Sequence, residues 1–340
     1  MKTAKSLIDT KSYSARLRSR SIDVANRRLL ITDFRHSEQE KDLSVPPNCS
    51  GYGRVRHFRR STSPGWPLNP LPLDPATRAL GLPPSNAMEA QVFQNASCNW
   101  RCWYCYVPFD LLSGSRTRSA WFTAEDLVAL YSSEPNPPRI IDLTGGEPSL
   151  VPEWIPWFMQ ALKHGGLEEQ TYLWSDDNLS TDYYFRLVTP EMRSLVTNYR
   201  NYGRVCCFKG YDEASFSFNT RAEPKLFGQQ FTLFHSLLEE GLDLYAYVTL
   251  TTPFAGTIKE EIPRFVDRLQ QVHENLPLRT VPLEILPYTP VGPRMDMLHD
   301  QAMRNQWDAC DFWRRELENR YSSTQRAQLI HDVDMRISNR

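Results

Sequence analysis

Strand-like and helix-like segments alternate along most of this 340-residue chain, and that alternation is the feature that most constrains its fold. Six segments are short and apolar, as strands are, and the segments between them resemble helices in length and apolar spacing. The predicted strands are Glu89–Gln94, Arg139–Leu143, Thr171–Trp174, Arg204–Phe208, Leu244–Leu250 and Val281–Leu286. The predicted helices are Thr123–Ser132, Trp154–Lys163, Pro190–Asn198, Phe227–Glu240, Glu260–Glu274 and Gln301–Tyr321. This order favours parallel βαβ units.

Right-handed crossovers would curl such units into a partial (β/α)6 TIM-like barrel, an α/β fold with its helices outside. We expect the barrel to occupy residues 86–292 and a helical C-terminal segment to occupy residues 293–340. In folds of this kind, functional residues lie on loops at the carboxyl ends of the strands. The motifs described below follow predicted strands, as this placement requires.

The first 85 residues have a different composition. Residues 1–60 contain 14 Lys/Arg and 6 Asp/Glu, a balance of +8 that leaves −9 for the rest of a chain whose net charge is −1. Seven prolines between residues 64 and 84 predict an extended strap or linker without sheet pairing. We expect residues 1–85 to form a basic, Pro-rich extension with the role of capping the barrel. Such an arm also suits an anionic partner, and a solvated, partly disordered tail is the alternative.

Nothing in the sequence indicates export or a membrane. No apolar run approaches the roughly 18–20 residues that span a bilayer, and the first thirty residues lack the apolar core of a secretory signal. Seven cysteines are an odd number, so a disulfide framework is not indicated. We expect a cytoplasmic protein with reduced thiols. Four of these cysteines are too scattered to predict a metal cluster of their own: Cys49, Cys206, Cys207 and Cys310.

The other three cysteines lie in one loop, directly after the first predicted strand. Cys98, Cys102 and Cys105 are spaced C-x3-C-x2-C, so their thiols can converge on one metal centre. Structural zinc sites generally have four protein ligands, and no Cys or His follows closely as a fourth. A cubane cluster held by three thiolates leaves one iron open for a substrate or cofactor. The loop therefore favours a catalytic iron–sulfur site over a structural zinc site.

A second motif follows the second predicted strand, where residues 145–148 read Gly-Gly-Glu-Pro (GGEP). Glycines let the backbone approach a ligand closely. The C-x3-C-x2-C loop, with an aromatic residue before its last cysteine, and the GGEP turn one β/α unit later resemble the radical S-adenosylmethionine (SAM) superfamily. The resemblance covers residues 88–292, and its specific part is these two loops. It implies two cofactors, a [4Fe–4S] cluster on the three cysteines and SAM.

The same resemblance implies a mechanism and a set of SAM-binding residues. SAM would bind the open iron, a reduced cluster would pass one electron to the sulfonium, and the 5′-deoxyadenosyl radical would take a hydrogen atom from the substrate. The protein would position the reacting atoms and exclude water. No catalytic residue beyond the cluster ligands is indicated. The residues expected at SAM are Tyr104, Gly145, Gly146, Glu147, Pro148, Ser175, Asp176, Asn178 and Leu286.

The substrate is less constrained than the chemistry. One cluster and an N-terminal extension favour a small metabolite, nucleoside or natural-product intermediate, with an electron donor such as flavodoxin or ferredoxin. The basic residues 1–60 keep RNA or peptide modification open. Glu284–Tyr288 with Gly292, and Phe208–Asp212, resemble segments of glycyl-radical activating enzymes, which implies activation of a partner enzyme as a third alternative. A non-enzymatic iron–sulfur electron-transfer or zinc-binding module would not need the GGEP turn.

Overall fold

One seven-stranded sheet forms the centre of the protein, in a computed structural model that describes residues 6–337. The strands are β1 (Ile22–Asp23), β2 (Arg28–Thr32), β3 (Gly53–Arg59), β4 (Ala87–Gln94), β5 (Ser119–Thr123), β6 (Ile140–Thr144), β7 (Tyr172–Asp177), β8 (Tyr202–Phe208), β9 (Leu244–Val248) and β10 (Thr280–Pro282). The large sheet has the order β10-β9-β8-β7-β6-β4-β3. A separate three-stranded sheet has the order β1-β2-β5.

Helices connect most of these strands and extend the chain at both ends. They are α1 (Thr10–Ser21), α2 (Leu73–Ala79), α3 (Ala124–Ser133), α4 (Trp154–His164), α5 (Tyr183–Leu187), α6 (Pro190–Asn198), α7 (Glu213–Thr220), α8 (Leu226–Glu239), α9 (Ile258–Val272), α10 (Met297–Arg320) and α11 (Ser323–Arg326). Within residues 6–337, none of them is long and apolar enough to cross a bilayer.

The strands from β4 to β10 in the large sheet are all parallel, and they curl into a half-barrel. β3 pairs antiparallel with β4 and extends the sheet at that edge. Helices lie between successive parallel strands along the chain, as right-handed crossovers require. Parallel strands are commonly buried on both faces and therefore nearly continuously apolar. β8 follows this rule, since all seven of its residues are buried.

The half-barrel has one apolar core on each face of its sheet. Side chains alternate between the faces along a strand. In β6, Ile141 and Leu143 belong to the core shared with the helices, whereas Ile140 belongs to the core inside the half-barrel. Tyr172 and Trp174 of β7 also point inward. We call this inner space the lumen.

Helix α2 closes the lumen at the amino ends of the strands, which we call its lower end. Leu71, Leu73 and Ala76 are fully buried and pack in the same cluster as Tyr172 and Ile330, the latter from the C-terminal segment. The expectation of an extended strap through residues 64–84 is therefore wrong at α2. Proline at the start of a short helix is compatible with helical geometry because its missing N–H would have no intrahelical partner there.

The remaining N-terminal elements also pack on the half-barrel. β2 pairs with β5, α1 leads into β1, and β3 contributes the antiparallel edge. Several predicted bounds agree closely with the structure. α6 spans the predicted residues, and α3 begins one residue after the predicted start, with Thr123 and Asp126 forming a capping box. The last strand is shorter than predicted, because pairing with β9 ends near Pro282.

Candidate active site

The cysteine loop lies between β4 and β5 and is held by backbone hydrogen bonds to neighbouring segments. The Cys98 N–H donates to the carbonyl of Leu112 at 3.1 Å, and the Cys105 N–H donates to the carbonyl of Cys102 at 3.1 Å. The N–H groups of Arg101 and Trp103 donate to the last carbonyls of α7, at 3.1 and 3.2 Å. Carbonyls at a helix C-terminus lack intrahelical partners. The N–H groups of the loop therefore provide the hydrogen bonds that the last carbonyls of α7 would otherwise lack.

Side chains of the loop fasten it to α1 as well. The Asn99 amide donates to the hydroxyls of Ser14 and Ser180, both at 2.9 Å. The Trp100 indole N–H donates to the hydroxyl of Thr10 at 3.2 Å. Asn99 and Trp100 are both buried. The N-terminal helix α1 therefore packs directly against the cysteine loop.

The three cysteine thiols lie near one another at the carboxyl end of the sheet. Cys98 and Cys102 are buried, and Cys105 is half-buried. Burial, then Glu147 and then Cys102, raises the pKa of the Cys98 thiol. Burial also raises the pKa of Cys102 to about 11, against the opposing effect of the Lys209 ammonium. A group that binds thiolates here must therefore displace protons from buried thiols.

Three cationic side chains lie around the thiols. Arg101 donates to the carbonyls of Cys98 and Trp100. Arg294 donates to the carbonyl of Cys105 and, at 2.9 Å, to that of Val107. Lys209, directly after β8, interacts electrostatically with Cys102. Together they supply positive charge beside a set of ligands that is anionic when it binds metal.

The donor set fits a [4Fe–4S] cluster. Among residues 6–337, no group of three or more His, Cys, Asp or Glu is arranged to hold a single metal ion. A cubane places each of three thiolates on a different iron, so its ligands need not surround one ion. Three neighbouring thiols of differing exposure on a firmly held loop, with cations beside them, have the composition that such a cluster requires.

The GGEP turn follows β6 and contacts the cysteine loop. The Glu147 N–H donates to the carbonyl of Ser97 at 2.7 Å. A Cβ atom on Gly146 would lie 2.1 Å from the carbonyl oxygen of Asn95 and 2.5 Å from that of Ser97. Gly145 has φ +91°, in the left-handed region that favours glycine. The two glycines let the turn pack directly on the backbone that leads to Cys98.

Glu147 connects the GGEP turn to the end of β7. Its carboxylate accepts hydrogen bonds from the N–H of Ser149 at 3.0 Å and from the N–H of Asn178 at 3.1 Å. It is buried, and burial, followed by the nearby Asp177 carboxylate, raises the pKa of Glu147 to about 8. Both oxygens of this side chain therefore accept hydrogen bonds from backbone N–H groups. Glu147 is thus arranged as a positioning residue.

The predicted SAM residues at the end of β7 divide between the two faces of the sheet. The Asn178 amide lies 3.8 Å from the Cys98 sulfur, and its backbone carbonyl accepts a hydrogen bond from Gln230 at 2.8 Å. Asp176 points into the lumen, where it accepts a hydrogen bond from Thr144. Ser175 is on the other face. It hydrogen-bonds with the Tyr202 hydroxyl at 2.8 Å, away from Asn178 and Asp176.

The other predicted SAM residues surround the open end of the half-barrel at the carboxyl ends of its strands, which we call the mouth. Tyr104 is buried, and its hydroxyl lies 3.1 Å from that of Thr249, directly after β9. Pro148 is buried and begins a short 3-10 turn. Leu286 is half-buried in the segment after β10, on the opposite side of the mouth from the GGEP turn. Ser175 therefore stands apart from a set that otherwise lies along the carboxyl edge.

Sequence reasoning missed several residues of this region. Lys209 lies in the Phe208–Asp212 segment, whose resemblance to glycyl-radical activating enzymes was its only signal. Arg294 lies outside the predicted barrel. Arg56 of β3 donates to Asp142 of β6 at 3.0 Å inside the lumen, and neither residue belongs to a motif. These side chains are distant in sequence and come together only when the sheet curls, so no local sequence pattern predicts their proximity.

Comparisons with known proteins give only a distant likeness. No family model matches the chain, and no curated protein matches it. Three solved structures of SuiB from Streptococcus suis are similar: one bound to S-adenosylmethionine (17% identity, TM-score 0.37), one bound to its precursor peptide SuiA (16%, 0.37) and SuiB alone (15%, 0.36). The matches cover 52–53% of this chain and 36% of SuiB, so the matched region spans about a third of SuiB. Function must therefore be argued from this chain's own residues.

Proposed function

We propose that this chain is a radical SAM enzyme, in which Cys98, Cys102 and Cys105 bind a [4Fe–4S] cluster and the GGEP turn binds SAM. The observation that most supports the proposal is the direct contact between the two motifs. The N–H of Glu147 donates to the carbonyl of Ser97, next to the first cysteine. Segments that hold a cluster and SAM side by side would need to lie this close together.

When held by Cys98, Cys102 and Cys105, the cluster would supply the electron for the reductive cleavage of SAM. The chain's own residues bind and orient the reactants. Lys209 is a cation beside Cys102, suited to the SAM carboxylate. Gly145 and Gly146 let the turn pack against Gln94 and the backbone that leads to Cys98, which would keep the SAM-binding turn close to the cluster. Glu147 fixes the turn and Asn178 relative to each other.

A segment of the N-terminal extension supports the exclusion of water from this site. The buried Gln39 side chain donates to Gln94, at the end of β4, at 3.3 Å. The carboxylate of Asp42 accepts a hydrogen bond at 3.0 Å from the N–H of Thr289, in the segment after β10. The segment from Gln39 to Asp42 thus reaches from one side of the mouth to the other. This arrangement supports the role of a cap for residues 1–85, and a radical intermediate needs such protection.

Two arginines of the extension pair with buried carboxylates of the barrel, which favours a small-molecule substrate over RNA. Arg18 forms an ion pair with Glu153, and the side chains are 16% and 6% exposed. Arg56 forms an ion pair with the fully buried Asp142. Arginines engaged in this way do not form a free basic surface for phosphates. An electron donor such as a flavodoxin or ferredoxin completes the proposed reaction.

Anaerobic reconstitution with iron and sulfide tests the cluster assignment. We expect about four irons per chain in the wild-type protein and a loss of bound iron when Cys98, Cys102 or Cys105 is replaced by Ala. Cys49→Ala and Cys310→Ala are matched controls, because both residues are buried cysteines elsewhere in the fold. These controls should retain the iron. Equal loss in the control variants, or full retention in the three loop variants, would contradict the proposal.

A further inference from the structure

Two carboxylates on neighbouring strands share the lumen. Asp142 of β6 is paired in register with Trp174 of β7, and Asp176 lies two residues further along β7 on the same face. Asp142 is fully buried, and Asp176 is half-buried between two buried neighbours. The two carboxylates are close enough to interact electrostatically. They lie on the lumen face of the sheet. They are nearer to the mouth than the apolar residues that pack against α2.

Each carboxylate has one oxygen with a partner and one without. Asp142 Oδ2 accepts a hydrogen bond from Arg56 at 3.0 Å, and Asp176 Oδ2 accepts one from the Thr144 hydroxyl. Asp142 Oδ1 and Asp176 Oδ1 are buried and accept no hydrogen bond from any described residue. Buried polar atoms are nearly always hydrogen-bonded in native proteins. Two such oxygens on one face of the sheet favour a ligand with hydrogen-bond donors, and the Trp174 indole and the Tyr172 hydroxyl in the same lumen also have no partner among the described residues.

The surrounding charges specify what kind of donor fits. Arg56 compensates the charge of Asp142, and Arg54 donates to the Tyr106 hydroxyl at 2.9 Å. Among the described residues, Asp176 has no ion pair with an arginine or lysine. Lys209 lies near Asp176 but also near Cys102. A ligand that carries a positive charge and several N–H donors would satisfy both free oxygens and offset the second carboxylate.

The position of the pair suits a substrate. Asp176 and Cys102 both interact with Lys209, so the carboxylates lie below the cysteine loop on the same side of the sheet. The Arg56 side chain is 28% exposed, and Lys209 and Tyr106 are half-buried, so solvent reaches the residues around the pair although both free oxygens are themselves buried. A group bound there would lie beneath the proposed SAM site.

We propose, on the basis of the radical SAM function proposed above, that the substrate carries an alkylammonium or guanidinium group held by the free oxygens of Asp142 and Asp176. The resemblance to the radical SAM superfamily implied that Asp176 contacts SAM. Under this proposal, its free oxygen instead binds the substrate, together with a residue that no motif includes.

Matched pairs of small probes test the charge requirement on the reconstituted full-length protein. Butylguanidinium and butylurea have similar shapes and differ in charge, and pentylammonium against pentanol tests the amine. At about pH 8, where Asp142 is ionised, we expect the cation of each pair to bind about tenfold or more tightly than its neutral partner. Asp142→Asn and Asp176→Asn should each abolish this preference, whereas Asp308→Asn, on the exposed side of α10, should retain it.

Equal binding of the charged and neutral probes to the wild-type protein would overturn the substrate class, as would an unchanged preference in both lumen variants. Asp176→Asn provides a second test in case Asp142→Asn does not fold, because Asp176 is the less buried residue. SAM is titrated into the same samples. SAM binding without a preference for cations rejects the substrate class alone, and a preference for cations without a cluster or SAM binding rejects the radical SAM function.

Discussion

At Gly146 the chain has no space for a side chain. The two nearest atoms to an added Cβ are backbone carbonyl oxygens, of Asn95 and Ser97, and neither can rotate away. We expect Gly146→Ala to reduce the free energy of unfolding by about 1–3 kcal/mol, because overpacking forces the backbone to shift, and to weaken SAM binding.

Gly256→Ala is the matched control for Gly146→Ala, because an added Cβ at Gly256 meets nothing within 4 Å. It should change stability by less than about 0.5 kcal/mol. Chemical denaturation measures both variants. Equal stabilities would mean that the GGEP turn does not pack on the cysteine loop as described.

A buried ion pair beneath the end of β7 gives a second residue-level prediction. Arg204 donates to Asp177 at 3.4 Å, and Asp177 accepts a hydrogen bond from the N–H of Leu179 at 2.7 Å. Arg204→Met should lower the free energy of unfolding by about 3–5 kcal/mol, because it leaves a buried carboxylate without its cation. Arg186→Met breaks an exposed pair with Asp182 and should cost about 1 kcal/mol or less. Similar losses in thermal denaturation would show that the Asp177 pair is not buried.

Residue identities in the site were easier to predict than residue orientations. The cysteines and the GGEP residues were identifiable because their spacing is unusual. The direction of Ser175 was not, because β7 is buried on both faces and Leu173 is as apolar as Trp174. A strand without polar alternation gives no indication of which face a given side chain occupies.

Among the elements, the cysteine loop depends on a segment outside the predicted barrel. Arg294, just before α10, donates to the carbonyls of Cys105 and Val107, and its guanidinium lies 3.8 Å from the centre of the Phe109 ring. Hydrogen bonds from a charged donor contribute about 1.5–3 kcal/mol each. We expect Arg294→Ala to loosen the loop and to lower the iron retained after reconstitution and desalting.

The control for Arg294→Ala is Arg304→Ala, which removes an exposed arginine of α10. It should retain iron as the wild-type protein does. If Arg294→Ala retains as much iron as this control, the contact with Arg294 does not stabilise the cluster loop.

The elements that were predicted are those stabilised by local patterns. The helices with apolar spacing and the parallel strands appear close to their expected positions. β3 was missed because Arg54 and Arg56 point into the polar upper lumen, which reverses the usual apolar-inward alternation. β5 was missed because it pairs with β2, far away in sequence. Such pairings depend on the tertiary fold rather than on propensity.

For the whole molecule, the lumen charges imply a dependence of stability on pH. Burial, then the Asp176 carboxylate, raises the pKa of Asp142 to about 7, although Arg56 and Arg54 oppose the shift. The folded state therefore retains a proton on Asp142 at pH values where the unfolded state, with a pKa near 3.8, has released it. Stability from this group is greatest at low pH and falls as the pH rises toward 7.

We expect the wild-type protein to lose about 2 kcal/mol more than Asp142→Asn between about pH 5.5 and pH 7, at 1.36 kcal/mol per pKa unit. Urea denaturation at several pH values measures this difference. Asp308→Asn should follow the wild-type curve, because Asp308 is exposed. Parallel curves for the wild-type protein and Asp142→Asn would mean that Asp142 is ionised throughout this range.

The overall arrangement was predictable as a sheet curled by parallel βαβ units, and a cap from residues 1–85 was predicted, whereas the ion pairs that join those residues to the barrel were not. Their positive charge indicated an arm for an external partner. In the structure, Arg18 and Arg56 pair with carboxylates of the barrel, Glu153 and Asp142. Net charge alone does not distinguish an external partner from an internal one.

The most direct test of the central proposal is the one-electron reduction of the reconstituted protein in the presence of SAM. A radical SAM enzyme should release 5′-deoxyadenosine and methionine, and Cys98→Ala should release neither. Cys310→Ala should match the wild-type protein, because Cys310 is a buried cysteine of α10 and not part of the cysteine loop. If the wild-type protein carries the cluster but leaves SAM intact, with alkylammonium or guanidinium substrates present or absent, the radical SAM proposal is contradicted.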